Sequence, residues 1–124
     1  MGSRILVSIP KLCRRQVWIA EPDPIVGAEQ DETRPVVIVS NDKYNQNAKG
    51  LLIAIPMTTA DWHLPYHIPV QAGEGQLDKP SFIMCDQIKC ISYHRLKKPL
   101  GYISNQIMSD IENMIKRLLD IDLP

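Results

Sequence analysis

The chain has 124 residues, 14 basic against 14 acidic, with a sequence pI near 6.8. This fits one domain with a modest core and excludes a protein that coats nucleic acid through overall positive charge, so any nucleic-acid contact has to use a local patch. Cys13, Cys85 and Cys90 form no C-x-x-C pair and leave one over, which argues against a disulfide or zinc framework and for a reducing cytoplasm, and residues 1–10 are too short and broken for a signal peptide or membrane span.

Residues 16–20, Gln-Val-Trp-Ile-Ala, read as a first strand ended by Pro22 and Pro24. A polar loop follows to Arg34, and then Val36-Val37-Ile38-Val39-Ser40, β-branched almost throughout, predicts a buried strand. Pro35 suits a strand start and pushes Arg34 into an extended conformation, presenting its guanidinium from the rim of a rigid element. Residues 41–50 are turn-rich, with one helical turn capped by Asn41. Residues 51–57 form another buried strand, 58–65 a loop, and 66–70 a short alternating strand; 71–79, with Gly73 and Gly75, is the most flexible-looking linker. Residues 81–91 read as one long strand with Asp86 and Gln87 breaking into it, which would point Cys85 and Cys90 to opposite faces. Ile107, Ile111, Met114 and Leu118, widened by Met108, Ile115 and Leu119, predict a terminal helix capped by Ser104. Short strands without βαβ alternation, followed by one helix, indicate a mainly β (α+β) domain. It is a small antiparallel barrel or strongly curved sheet with the helix packed on it, over residues 1–124 as a single unit with 1–13 either poorly ordered or an added strand.

His63, His67 and His94 lack ligand spacing with one another or with a cysteine, so no metal site is expected, and no phosphate-cradling glycine motif occurs. The chemistry falls to two polar clusters at strand ends: Glu29, Gln30, Thr33 and Arg34, then Thr58, Thr59, Asp61, Trp62 and His63. If residues 36–40 and 51–57 are antiparallel neighbours, the start of one lies beside the end of the other and Arg34 comes close to Thr58. A fixed cation, a hydroxyl and a carboxylate suit RNA phosphodiester cleavage, in which the ribose 2′-hydroxyl is the nucleophile. The same residues also have ordinary readings. Arg34 pairs with Glu29, Asp31 or Glu32; Thr58-Thr59 closes its own turn; Trp62 is a core edge; Asp86 and Gln87 line a pocket or an interface; Arg95, Lys97 and Lys98 form a solvated face.

Several segments taken together resemble the MazF/PemK family of toxin endoribonucleases. They are Val17-Trp18, residues 23–30 with Gly27-Ala28-Glu29-Gln30, and Thr33-Arg34-Pro35-Val36-Val37, followed by Pro56-Met57-Thr58-Thr59, Asp86-Gln87-Ile88-Lys89 and Arg95-Leu96 leading to the helix. The likeness runs through nearly all of residues 14–120. It implies an SH3-like barrel with a C-terminal helix (CcdB/PemK-like), acting as a cytoplasmic homodimer that cuts single-stranded RNA without cofactor or metal to leave 2′,3′-cyclic phosphate and 5′-hydroxyl ends. It implies catalytic roles for Arg34, which stabilises the phosphorane and delivers a proton to the leaving oxygen, for Thr58, which holds the phosphate or attacking hydroxyl, and for Glu29, the base or the group that orients Arg34. Gln30, Thr33, Thr59, Trp62, His63, Asp86 and Gln87 are the expected RNA-binding residues. The partner implied is a cognate antitoxin whose extended tail covers the RNA groove. Two departures stand out: Arg14-Arg15-Gln16 where the family often has Arg-Gly-Asp or Arg-Gly-Glu, and Met84 where some members carry a cation. The competing readings are a CcdB-like toxin that binds a topoisomerase and cuts nothing, and a degenerate member serving as a binding module.

Overall fold

The computed structural model describes residues 11–22, 33–47 and 49–121. Among the described residues seven strands and two α-helices follow in the order β1 (Gln16–Ala20), β2 (Arg34–Ile38), α1 (Asp42–Asn47), β3 (Leu51–Thr58), β4 (His67–Val70), β5 (Ser81–Met84), β6 (Lys89–Ser92), β7 (Leu96–Tyr102) and α2 (Asn105–Leu118). The strands pair antiparallel in the order β4-β5-β3-β2-β1-β7, with β6 also on β3. The long β3 is the hub. Its first half pairs with β6, its last residues with β5, and its other edge with β2. Among the described residues the pairing does not close on itself: β4 and β7 are the two ends, so the barrel expected from the pattern is an open, barrel-like sheet.

Both faces of this sheet are buried. Val17, Val37, Ile55, Met57 and Ile83 face a core completed by Met108 and Ile111 of α2. Trp18, Val36, Ile38, Leu52 and Ala54 face a second core with Leu12 and Ile91. That is why β2 reads as an unbroken apolar run rather than an alternation: Val37 fills one core and its neighbours Val36 and Ile38 fill the other. The run ends at Ser40, whose buried hydroxyl accepts from Ile53 N–H at 3.0 Å while its carbonyl accepts from Asn45 Nδ2 at 3.0 Å. Tyr44 N–H donates to Asn41 Oδ1 at 2.7 Å, the cap expected for this turn.

α2 begins where Ser104 Oγ accepts from Ile107 N–H at 3.1 Å. Its apolar stripe meets the core through Met108 and Ile111, flanked by Ile107, Met114 and Ile115, whereas Leu118 and Leu119 are exposed beyond the sheet. Arg14 ties the helix to the end of β2, donating to Val39 O at 2.6 Å and pairing with Glu112. Arg15 occupies φ 78°, the left-handed region that favours glycine. It is held there by three bonds: its N–H to Ile38 O at 2.8 Å, its carbonyl from Ile103 N–H at 2.9 Å, and its Nη1 to Ile103 O at 2.7 Å.

Three expectations change. Residues 81–91 are not one strand, because a single 3-10 turn, Cys85–Gln87, separates β5 from β6; Cys85 is buried and Cys90 exposed on different elements. The 71–79 segment is not a loose linker: Glu74–Gln76 forms a 3-10 turn whose Gly75 is buried against Val17 and Ile103. Leu96–Tyr102, read only as a basic surface, is the edge strand β7 paired to β1, with Lys97, Lys98 and Pro99 exposed as suits a sheet edge. No helix among the described residues is long and apolar enough to cross a membrane, and residues 1–10 lie outside the described residues.

Candidate active site

Arg34 is the first residue of β2 and Thr58 the last of β3. Their strands pair with Val36 opposite Pro56; two residues further along, the same register sets Arg34 opposite Thr58. Thr58 in turn pairs with Phe82 of β5, and β5 leads directly into the Cys85–Gln87 turn. β4 starts at His67, opposite Met84. Three strand ends and a turn thereby enclose a groove of about 390 Å³ lined by Arg34, Thr58, Trp62, Asp86 and Gln87, with Pro56, Leu64, His67 and Met84. The first five are sequence-predicted site residues brought together from three separate segments.

The other predicted residues stand elsewhere. Thr33, Thr59 and His63 are exposed and do not line this groove. Glu29 and Gln30 lie outside the described residues. Asp61 and His63 shape the loop: His63 N–H donates to Asp61 Oδ1 at 2.8 Å, and His63 Nδ1 lies 3.5 Å from Asp61 Oδ2. Between them Trp62 is held out, 62% exposed, as a platform rather than a core edge. Thr58 Oγ1 accepts from Ala60 N–H at 3.1 Å, closing a local turn. Its own hydroxyl proton is still available to a ligand in the groove.

The remaining groove residues were not among the predicted site residues. Met84 supplies apolar wall together with Leu64 and Pro56. His67 is the last of them, its side chain 6% exposed and its Nε2 3.6 Å from Asp86 Oδ1. The signal for it lay in the alternation of β4, where Ile68 and Val70 are buried and residues 67 and 69 occupy the opposite face. Next to Asp86, the Cys85 thiol is pushed up to about 12 by burial and by the neighbouring carboxylate, so it stays a protonated, inert thiol. Among the described residues no group of three or more His, Cys, Asp or Glu side chains is arranged to hold a metal ion.

The groove is therefore lined by a guanidinium, a hydroxyl, a carboxylate, an amide and an exposed indole. The first two match a phosphate, since a guanidinium presents paired donors to two of its oxygens. The indole matches a nucleobase, which stacks on an exposed aromatic face. Apolar walls strengthen both by excluding water around the charges.

A model of the family described as PemK-like, MazF-like toxin of type II toxin-antitoxin system matches residues 13–119. Endoribonuclease MazF of Staphylococcus saprophyticus is 34% identical over 103 residues, spanning 82% of this chain and 86% of that protein. Among solved structures, Mycobacterium tuberculosis toxin MazF-mt6 is 26% identical with a TM-score of 0.71, covering 88% of this chain and 100% of that one. MazF in a MazE–MazF complex from Deinococcus radiodurans shares the fold at 21% identity, with a TM-score of 0.74 over 93% and 99% of the two chains. The matched span includes both strands that carry Arg34 and Thr58, the Cys85–Gln87 turn and α2, and the chain belongs to the family of PemK-like, MazF-like toxins of type II toxin-antitoxin systems.

Proposed function

We propose that this toxin is an endoribonuclease that cuts single-stranded RNA in the groove between Arg34, Thr58 and Asp86, without a metal or cofactor, in the cytoplasm and as a homodimer. The observation that carries the reading is the β2–β3 register, which sets a guanidinium opposite a hydroxyl at the rim of a groove with a stacking indole. The name and activity of the Staphylococcus saprophyticus relative support it. An antitoxin is the expected protein partner, as in the MazE–MazF complex from Deinococcus radiodurans and the mycobacterial endoribonuclease bound to its cognate antitoxin.

In the proposed reaction the RNA supplies its own nucleophile. The ribose 2′-oxygen bonds to phosphorus as the P–O5′ bond breaks, leaving a 2′,3′-cyclic phosphate and a 5′-hydroxyl. The 2′-proton passes to a carboxylate, for which Glu29 is the candidate, and Arg34 donates a proton to the departing O5′ and regains one from solvent. Arg34 stabilises the extra charge of the phosphorane, and Thr58 holds a non-bridging oxygen with its hydroxyl proton. Trp62 stacks a flanking base, Asp86 and Gln87 contact the strand within the groove, Thr33, Thr59 and His63 contact it outside the groove, and Gln30 is assigned to RNA binding as well.

The test is incubation of the purified chain with a long single-stranded RNA in EDTA. Discrete fragments with 5′-hydroxyl ends are expected, and Arg34→Ala lowers the rate about 100- to 1,000-fold. Arg34→Lys recovers little of that loss, because an ammonium cannot present two parallel donors. No fragments, or an Arg34→Ala variant that cuts like the wild type, leaves a non-cutting toxin as the reading.

A further inference from the structure

Among the described residues two buried side-chain nitrogens have no hydrogen-bond partner, Trp18 Nε1 and His67 Nδ1; of the two residues, His67 lines the groove. A polar ring buried with an orphan atom is a poor packing choice, since an apolar side chain of similar volume would fill the place without a desolvated nitrogen. The other end of the ring shows what the residue is for. His67 Nε2 points at Asp86 Oδ1 from 3.6 Å, across the junction of β4 with the Cys85–Gln87 turn. The Tyr66 ring meets the imidazole edge-on, with centroids 5.4 Å apart, and limits its rotation.

The orphan nitrogen also assigns the tautomer. An N–H at Nδ1 would be a buried donor with nothing to accept it, whereas a bare lone pair there costs less. The proton therefore belongs on Nε2, where it faces the Asp86 carboxylate. Asp86 stands on a single helical turn, its side chain 34% exposed, so without a partner its carboxylate would swing between rotamers at the groove wall.

We infer that His67 is a positioning residue: its Nε2–H holds one Asp86 carboxylate oxygen at the groove wall and turns the other toward bound RNA. This rests on the endoribonuclease reading of the groove. At 3.6 Å the pair is a charge–dipole contact and not a closed hydrogen bond. Such contacts close when substrate displaces water from a site. A side chain that acts only through Asp86 should lose its effect once Asp86 no longer carries a carboxylate.

Steady-state cleavage of a defined single-stranded RNA, with thermal melts alongside, compares wild type, His67→Leu, His67→Gln, Asp86→Asn and the His67→Leu/Asp86→Asn double variant. His67→Leu lowers kcat/KM about tenfold while its Tm stays equal to the wild type's or rises, because leucine fills the site and removes the orphan nitrogen. His67→Gln, whose amide nitrogen takes the place of Nε2, recovers to within about threefold of wild type. The double variant is no slower than Asp86→Asn alone. The inference is overturned by a His67→Leu activity within about twofold of wild type, by His67→Gln as slow as His67→Leu, or by a double variant as slow as the product of the singles. A marked fall in Tm for His67→Leu also overturns it, since that marks a packing role. If the wild type cuts no RNA, the endoribonuclease reading fails and takes this role with it; an active wild type beside an unaffected His67→Leu removes the role of His67 alone.

Discussion

Asp86 faces in two electrostatic directions. On one side it approaches His67 Nε2; on the other it helps keep the adjacent Cys85 thiol protonated, pushed up to about 12 chiefly by burial. A buried thiol beside a carboxylate is a poor nucleophile, so thiol-directed reagents should label exposed Cys90 and leave Cys85 untouched until the chain unfolds. Mass spectrometry after limited alkylation reads this directly, and early modification of Cys85 would contradict it. The same group has a signature in stability. Its folded value of about 12 lies above the ordinary 9.0 of an unfolded chain, so folding keeps a proton that the unfolded state gives up. That contribution is fully present below pH 9.0 and is lost as pH climbs toward 12. Urea midpoints measured at neutral pH and near the upper end of that window should fall less in Cys85→Ala than in wild type.

At the level of elements, the groove depends on packing some distance from it. β1 is clamped between β2 and β7, and Gly75 of the Glu74–Gln76 turn sits directly over it. Gly75 has φ 57°, and a Cβ added there would lie 2.7 Å from Val17 Cγ2 on β1. The contact is with a short, branched side chain on a strand buried on both sides, which has little room to give. Gly75→Ala therefore combines left-handed backbone strain with overpacking and should cost about 2–4 kcal/mol. Chemical denaturation tests this; a loss under about 1 kcal/mol would show that the turn lifts away freely. β1 also pairs with the start of β2, Ala20 opposite Arg34. A displaced β1 should accordingly reduce RNA cleavage as well as stability, although Gly75 touches no part of the groove.

Across the whole molecule, binding has to work with 14 positive and 14 negative side chains and no net charge. Long-range attraction for RNA is then weak, and affinity has to come from the groove itself: Arg34, one hydroxyl, one stacking surface. Binding of an uncleavable 2′-deoxy oligonucleotide, followed by anisotropy across a salt series, should give a shallow slope, below that of about six phosphate contacts. A steeper slope would call for a basic surface larger than the groove. Much of this molecule was legible in the chain. The β-branched run from Val36 specifies β2 and the short apolar runs at 16–20 and 51–57 specify β1 and β3 because those preferences are local, and the 3.6-residue stripe specifies α2 for the same reason. The Arg34–Thr58 juxtaposition was also accessible, since two strands joined by a short connection pair antiparallel and bring opposite ends together. Tertiary structure alone decided the rest. β7 reads as a basic surface because an edge strand needs no second apolar partner. Gly75 reads as flexible until Val17 arrives above it. His67 becomes a groove residue only when β4 pairs with β5 and delivers Asp86 to its Nε2. Local sequence sets backbone preference and the apolar face, whereas a polar side chain's role is set by the neighbours that long-range pairing brings to it.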